Sequence, residues 1–181
     1  MTEPVRFTAA ICTRNHGGLL PTAVRSVARQ DYAPERFDVL VVDNGSTDDT
    51  PQVVEQLAHE YACVRGVIEK QPGLGQARNR AMTDARGEFI VYIDDDAEMA
   101  PGYLAALDRL LREEENVGAA GGPIEVAWLG PVPTWYEPAL DGLFNKLSIA
   151  SYRMPLRYPQ EIYGTNFVVS TALLRELGGF R

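Results

Sequence analysis

The chain has 181 residues, of which 45% are hydrophobic and 23% are charged, and its formal net charge is −8. This length and apolar content suit a single globular domain with a substantial core and exclude an intrinsically disordered chain. The negative charge excludes non-specific binding to nucleic acids and to anionic membranes, because phosphate-rich partners need a basic surface.

The sequence also bears on location and on cysteine chemistry. No apolar run is long enough to span a membrane, and residues 1–10 lack the basic and then apolar pattern of a secretory signal. We therefore predict a cytoplasmic chain without a transmembrane segment, with peripheral attachment to the inner face of the membrane as an alternative. Cys12 and Cys63 are far apart, and with only two histidines this pattern favours buried free thiols over a zinc site or disulfides.

Short β-rich runs alternate with segments of helical periodicity from Arg6 to Glu115, which is typical of an α/β domain with a largely parallel sheet. The predicted strands are 6–12, 37–42, 64–70 and 88–93. The second and fourth hold enough Val, Ile and Phe to be central. The predicted helices are 19–30, 51–61, 103–113 and one in which Ala77, Ala81 and Ala85 form a small-residue face. Thr50, directly before Pro51, is predicted to cap the second helix.

Beyond Val117 the sequence is rich in glycine and proline, and it is assigned no element before residue 166. A last strand at 166–170 and a helix within 171–180 follow. In the loop-rich part, Trp128, Trp135 and Tyr136 are candidates either for core packing or for a platform that contacts a sugar ring or a lipid-like acceptor.

Polar residues follow three of the predicted strands: Thr13 to Asn15, Asp43 to Asp49, and Asp94 to Asp96. Ligands of open α/β sheets bind beyond the carboxyl ends of the strands, so these loops are candidate binding segments. Asp43 and Asn44 can exchange hydrogen bonds with the edge of a heterocyclic base. The same segment also suits a turn and a helix cap.

Three consecutive aspartates follow the fourth strand. Two carboxylates about 5 Å apart repel each other by ~3 kcal/mol at an effective dielectric constant near 20. One interpretation is that Asp94 to Asp96 are turn residues, some of which cap a helix near Pro101. The other is a site for Mg²⁺ or Mn²⁺, which prefer carboxylate oxygens and are often held by one or two carboxylates plus substrate phosphates.

The segment 70–81 contains Gly-x-Gly but matches neither the dinucleotide fingerprint nor the P-loop. It leads into a helix that carries Arg78, Asn79 and Arg80. The helix N-terminus and the arginines can attract a diphosphate. An exposed helix with solvated arginines is the alternative, because residues i and i+2 of a helix do not face the same way.

Five motifs occur in a fixed order: ICTRN, VVDNGSTDDT, GLGQARNRA, YIDDD and GTNFVVSTALLRELGGF. In this order they resemble the family 2 inverting glycosyltransferases of GT-A fold over essentially the whole chain. The resemblance implies an α/β nucleotide-binding fold with a central, mainly parallel sheet flanked by helices. It also implies a metal-dependent enzyme of polysaccharide biosynthesis, with Mn²⁺ or Mg²⁺ as cofactor. Such an enzyme transfers a sugar with inversion from a nucleotide-diphosphate donor, here a UDP-sugar, to a saccharide or lipid-linked acceptor.

The resemblance assigns roles to particular residues. The donor nucleotide site would comprise Thr13, Arg14, Asn15, Asp43, Asn44, Arg80, Asp94 and Asp95. Asp96 would bind the metal directly and Asp94 would face the ribose and the metal's waters, whereas Asp95 belongs to the site as the middle residue of the motif, without a specific contact assigned to it. On the acceptor side, Gly164, Thr165 and Asn166 match the family's position close to the donor sugar, and Trp135, from the aromatic loop, is the preferred acceptor candidate. Residues 1–116 would form the donor and metal part and residues 117–181 an acceptor-side part, incomplete at its C-terminus, within one domain.

The general base of this family normally belongs to an acidic pair beyond the Gly-Gly-Phe segment, and this chain ends at Arg181. We therefore expect the base to lie beyond Arg181 and the chain to be a fragment that binds donor but transfers poorly. Glu137, Asp141 and Glu161 are acidic, but nothing in their spacing marks any of them as the base. The alternatives are a sugar-phosphate nucleotidyltransferase, whose glycine-rich loop would follow the first strand, and a non-catalytic nucleotide-sugar-binding module.

Overall fold

A six-stranded mixed sheet organises the computed structural model, which describes residues 4–148, 154–157 and 162–181. The strands are β1 (Phe7–Thr13), β2 (Phe37–Asp43), β3 (Val64–Ile68), β4 (Phe89–Asp94), β5 (Ala119–Gly121) and β6 (Phe167–Ser170). The α-helices are α1 (Leu20–Ala28), α2 (Thr50–Glu60), α3 (Leu74–Asp84), α4 (Tyr103–Glu113) and α5 (Thr171–Glu176). Three short 3-10 helices lie at Pro34–Arg36, Pro138–Phe144 and Gly164–Asn166.

The strand order is β3-β2-β1-β4-β6-β5. Strands β1 to β4 are parallel to one another, whereas β6 runs antiparallel to β4 and to β5. The five predicted strands and the predicted α/β architecture are therefore confirmed. Strand β5 was not predicted, because its sequence Ala-Ala-Gly has little β propensity and only its pairing with β6 defines it.

Helices cover both faces of the sheet, and alternate residues of the strands supply two cores. Helices α1, α2 and α4 pack on the face that includes Phe7, Ala9 and Ile11 of β1. Helices α3 and α5 pack on the opposite face, where Ala77 and Ala81 of α3 are fully buried. As the sequence predicts, the small side chains let α3 approach the sheet closely.

Two details differ from the sequence predictions. Thr50 does not cap α2: its buried hydroxyl accepts a hydrogen bond from the His16 backbone N–H, and its own N–H donates to Asp48. Both cysteines are free, as predicted, but each is only partly buried. Burial still raises the pKa of the Cys12 thiol to about 12, so this thiol stays protonated at neutral pH.

The described helices contain no stretch that is both long and apolar enough to cross a membrane.

A buried polar cluster secures the edge of the sheet opposite the strand ends described below. The Thr8 hydroxyl donates to Asp38 at 2.6 Å and accepts from the backbone N–H groups of Arg86 and Gly87. Arg65 donates to the other oxygen of Asp38 at 2.7 Å. The Thr8 hydroxyl therefore makes three hydrogen bonds, two of them to the buried residues Asp38 and Gly87.

We predict that Thr8→Val destabilises the fold and that Thr13→Val, in the same strand, does not. Each buried polar group left without a partner costs ~1–3 kcal/mol, so we expect a loss of about 3 kcal/mol for Thr8→Val and a melting temperature lower by roughly 6 to 12 °C. The Thr13 hydroxyl is also buried but has no hydrogen-bond partner among the described residues. Equal losses in the two variants, measured by thermal denaturation, would contradict the role of the Thr8 cluster.

Candidate functional site

The parallel pairing of β1 with β2 and β4 brings three chain segments to one edge of the sheet. Thr13 lies opposite Asp43, and Cys12 lies opposite Asp94. The loops that follow these residues are the ones that the sequence marks as candidate binding segments. They meet at the carboxyl edge of the sheet, where a ligand of an α/β fold is expected.

A cavity of about 210 Å³ opens at this edge between the strand ends and the start of α3. It is lined by Cys12, Thr13, Arg14, Asn44, Gly73, Leu74 and Ala77. The buried Thr13 hydroxyl has no partner among the described residues. A buried hydroxyl normally has a hydrogen-bond partner, so this group is available to a ligand in the cavity.

Asn44 and Asp43 are both buried at the end of β2, but their side chains differ in the hydrogen-bonding capacity that remains for a ligand. The Asn44 amide donates to the carbonyls of Glu69 and Gln71, at 3.1 and 2.7 Å, and accepts from the Gly73 N–H at 2.7 Å. Asn44 thus fixes the loop before α3. One oxygen of Asp43 accepts from the Ser46 N–H at 2.9 Å, which leaves the carboxylate with further acceptor capacity.

Asn15 is likewise engaged with protein rather than free for a ligand. Its backbone N–H donates to the Ser46 hydroxyl at 3.0 Å, and its side-chain oxygen accepts from the Thr47 N–H at 2.7 Å. These bonds tie the loop after β1 to the loop after β2 and hold Asn15 in a left-handed conformation, with φ of 57°. The neighbouring Arg14 is exposed at the cavity and forms no ion pair with any described residue.

The three aspartates have three different environments. Asp94 is partly buried, lies 3.8 Å from the Arg78 guanidinium and is hydrogen-bonded to Thr165. Burial raises the pKa of Asp94, and this outweighs the lowering by Thr165 and Arg78. Asp95 is buried, and both of its oxygens lie 3.0 Å from His16 Nδ1. Asp96 is exposed and makes no hydrogen bond or ion pair within the described residues.

His16 was not assigned a role from the sequence. The only signal was its place directly after the Thr-Arg-Asn segment, which does not predict that its ring reaches the turn after β4. Asp95 raises the pKa of His16, first through the hydrogen bond and then through its negative charge.

The two arginines of α3 lie on different sides of the helix, and Arg78, rather than Arg80, joins the other candidate residues. Arg78 packs against the rings of Tyr92 and Phe180, which contact each other edge to face, and its guanidinium carbon lies 5.7 and 5.6 Å from their centroids. Arg80 donates to Asp84 at 2.5 Å and to the Ile68 carbonyl at 3.2 Å. The guanidinium of Arg80 is therefore occupied at the end of β3.

The end of the described chain holds Arg78 in place. The side chain of Asn79 donates to the Phe180 carbonyl and accepts from its N–H, at 2.8 and 2.7 Å. The preceding Gly179 has φ of +79°, and an added Cβ would lie 2.3 Å from the Asn79 side-chain oxygen. The Gly-Gly-Phe turn is thereby fixed against α3, and Phe180 contacts Arg78.

The predicted acceptor-side residues divide between two places. Gly164 contacts the Arg78 guanidinium so closely that an added Cβ would lie 2.6 Å from it. Thr165 forms a hydrogen bond with the Asp94 carboxylate. Asn166 accepts from the Tyr103 hydroxyl at 2.5 Å and donates to the Pro123 carbonyl, so it connects elements of the fold.

The aromatic residues of the loop-rich part belong to neither core of the sheet. Trp128, Trp135 and Tyr136 each contact Phe144, with ring centroids 5.5, 6.1 and 5.8 Å apart. Trp135 retains 59% of its surface in solvent. The cluster therefore packs on itself and leaves one tryptophan accessible.

The acidic candidates for a general base show no sign of that role. Asp141 accepts from the Tyr136 hydroxyl and pairs with Lys146 at 3.4 Å. Glu137 is exposed at the start of a 3-10 helix. Glu161 lies outside the described residues.

Within the described ranges, no group of three or more His, Cys, Asp or Glu side chains converges as a metal site. The residues nevertheless fit a hard divalent cation held jointly with a substrate. Mg²⁺ and Mn²⁺ prefer oxygen ligands, and Mg²⁺ typically takes one or two carboxylates and completes its shell with phosphates and water. Asp96, with an unpartnered exposed carboxylate beside Asp94, supplies ligands of this type.

A sheet of this order with an acidic triplet at the end of β4 is the architecture of the GT-A glycosyltransferases. The chain belongs to Glycosyl transferase family 2, which its sequence matches over residues 8–177. The resemblance and the fold inferred from the sequence are thus confirmed.

Solved structures support the fold. Residues covering 97% of this chain superimpose on half of the Staphylococcus aureus TarS 1-349 structure, with a TM-score of 0.74 and 23% identity. The mannosyltransferase PcManGT from Pyrobaculum calidifontis, in complex with GDP-Man and Mn²⁺, matches 99% of this chain and half of its own, with a TM-score of 0.73 and 27% identity.

Curated relatives match shorter segments. The Staphylococcus aureus poly(ribitol-phosphate) beta-N-acetylglucosaminyltransferase TarS is 33% identical over 93 residues, which are 51% of this chain and 16% of the relative. A Campylobacter jejuni GalNAc(5)-diNAcBac-PP-undecaprenol beta-1,3-glucosyltransferase is 29% identical over 104 residues, or 56% of this chain and 33% of the relative. The chain thus spans half of these solved structures, and its matched segments cover a third or less of these two curated relatives.

We predict that Arg78→Met weakens binding of a nucleoside diphosphate such as UDP, whereas the matched change Arg80→Met does not. A hydrogen bond to a charged group contributes ~1.5–3 kcal/mol, so we expect a loss of roughly 10- to 100-fold for Arg78→Met. Isothermal titration calorimetry measures both affinities. A larger loss of affinity for Arg80→Met would support Arg80 as the donor-binding arginine, as predicted from the sequence, and would contradict the role that the geometry gives to Arg78.

Proposed function

We propose that this protein is a glycosyltransferase that binds a nucleotide-diphosphate sugar, most directly a UDP-sugar, at the carboxyl edge of β1, β2 and β4. The observation that carries the proposal is the cavity beside Thr13, where a buried hydroxyl without a described partner lies next to the end of β2. A nucleoside supplies the polar edge that such a hydroxyl and the free acceptor of Asp43 require.

The distribution of charge orients the donor. In this proposal the base occupies the cavity, Asp94 contacts the ribose, and the diphosphate extends toward Asp96 and the exposed Arg14. The net-negative chain can hold an anionic ligand here only through local cations, and Arg14 and Arg78 provide them. Relatives support this class of donor, since a TarS structure contains UDP-GlcNAc and PcManGT contains GDP-Man.

A divalent cation held by Asp96, with Asp94 beside it, would neutralise charge on the departing diphosphate. Transfer then proceeds as an in-line displacement at the anomeric carbon with inversion, the course implied by the family resemblance. Arg78 packs against Tyr92 and Phe180, so little binding energy is lost in ordering its side chain when the diphosphate binds. The general base is assigned to none of the described residues.

The acceptor is proposed to be a saccharide or a lipid-linked sugar that meets the donor near Gly164 and Thr165. The relatives named above act on poly(ribitol-phosphate) and on an undecaprenol-linked glycan. The exposed Trp135 offers an aromatic face for such an acceptor. The cytoplasmic location, the role in polysaccharide biosynthesis and the division at residue 116 stay predictions.

We predict that UDP with Mn²⁺ stabilises the chain and that Asp96→Asn removes the metal-dependent part of the stabilisation. Ligand at about 100 times its dissociation constant adds ~2.7 kcal/mol, which for a chain of this size raises the melting temperature by roughly 5 to 11 °C. Thermal denaturation with UDP, GDP and TDP, each with Mn²⁺ or with EDTA, measures the effect and ranks the nucleobases.

The matched control is Asp31→Asn, which changes an exposed aspartate beyond the C-terminal end of α1, the end of that helix away from the site, and should leave the metal effect intact. Thr13→Val should lower the shift with every nucleotide while leaving the ligand-free melting temperature unchanged. If no nucleoside diphosphate shifts the melting temperature of the folded protein, the donor site is wrong. Turnover of a nucleoside triphosphate to a diphosphate sugar would instead identify a nucleotidyltransferase.

A further inference from the structure

His16 and Asp95 form a hydrogen-bonded pair beside the donor site. Nδ1 of His16 lies 3.0 Å from both carboxylate oxygens of Asp95. An ionised carboxylate only accepts hydrogen bonds, so Nδ1 carries the proton. Asp95 is buried, and no other described side chain donates to it.

The backbone of His16 is itself fixed by two other elements. Its N–H donates to the Thr50 hydroxyl at 3.2 Å, and its carbonyl accepts from the N–H groups of Leu19 and Leu20 at the start of α1. The next residue, Gly17, donates through its N–H to Asp48 at 3.4 Å. The ring of His16 therefore extends from a segment that cannot shift without breaking contacts with α1 and α2.

The partners of Asp94 and Asp95 lie on opposite faces of the sheet. Asp94 is held by Arg78 of α3 and by Thr165, on the face that α3 covers. Asp95 is held by His16, which leads into α1 on the other face. These contacts hold the turn that follows β4 from both sides, and Asp96 is the next residue of that turn.

We propose that His16 is a positioning residue for the metal-dependent step of donor binding, acting through Asp95 on Asp96. The inference rests on the proposed function, because it assumes that Asp96 holds a cation together with the donor diphosphate. His16 need not touch the donor or the cation. It withdraws Asp95 from the cation site and keeps Asp96 directed at it, as partners of metal-binding residues commonly do.

The experiment compares His16→Ala with His16→Asn, which retains an N–H donor at the position of Nδ1. UDP affinity is measured by calorimetry with Mn²⁺ and with EDTA, and Mn²⁺ affinity in the presence of UDP by electron paramagnetic resonance. We expect His16→Ala to weaken the Mn²⁺-dependent affinities by roughly tenfold and to leave the metal-free UDP affinity unchanged. His16→Asn should restore most of the loss.

Two controls separate this role from simpler ones. His59→Ala removes the other histidine, which is exposed on α2, and should change neither affinity. In an Asp95→Ala background, His16→Ala should cause no further loss, because its effect passes through Asp95. Circular dichroism confirms that each variant is folded.

The outcomes also distinguish this inference from the proposed function. If the unmodified chain binds UDP with Mn²⁺ but His16→Ala binds as tightly, or loses metal-free affinity equally, only the positioning role fails. A further loss from His16→Ala in the Asp95→Ala background also overturns it, since His16 would then act directly. If the unmodified chain binds no nucleoside diphosphate, the proposed function and this inference fail together.

Discussion

The parallel, in-register pairing of β1 with β2 and β4 is the constraint on which the rest of the molecule depends. It places Thr13 opposite Asp43 and Cys12 opposite Asp94, so that residues distant in sequence meet at one edge. The pairing is stabilised by two cores, one on each face. Because both faces are covered by helices, the open edge beyond the strand ends is the place where polar side chains can gather around a ligand without disturbing the core.

Gathering these loops creates a second requirement, since three irregular segments must keep a fixed relation to one another. Asn15 ties the first loop to the second, and Asn44 ties the second to the segment before α3. Both residues match the donor-binding motifs of the family, yet in this structure their side chains satisfy backbone groups. The groups that remain for a ligand include the hydroxyl of Thr13, the cation of Arg14 and the carboxylate of Asp96.

The sequence predicts most of the fold because its strands and helices each have a clear period. The strand predicted at 88–93 is found at Phe89–Asp94. Strand β5 could not be predicted, because its definition comes from a long-range pairing with β6. For a related reason, the sequence could not show which of Arg78 and Arg80 lies at the candidate site. Periodicity shows that the two arginines flank opposite sides of the buried alanine face, but which side meets β4 depends on the strand order.

The acidic triplet shows how the chain tolerates three adjacent carboxylates. Asp95 accepts a hydrogen bond from His16, and Asp94 lies near the Arg78 guanidinium and Thr165, although burial still raises the pKa of Asp94. Exposure lets water screen the charge of Asp96. These contacts let the chain hold three adjacent carboxylates without a bound cation. Their mutual repulsion is therefore not by itself evidence for a metal site. A stronger argument is the difference among the three carboxylates: protein groups contact Asp94 and Asp95, whereas the exposed Asp96 has no partner among the described residues.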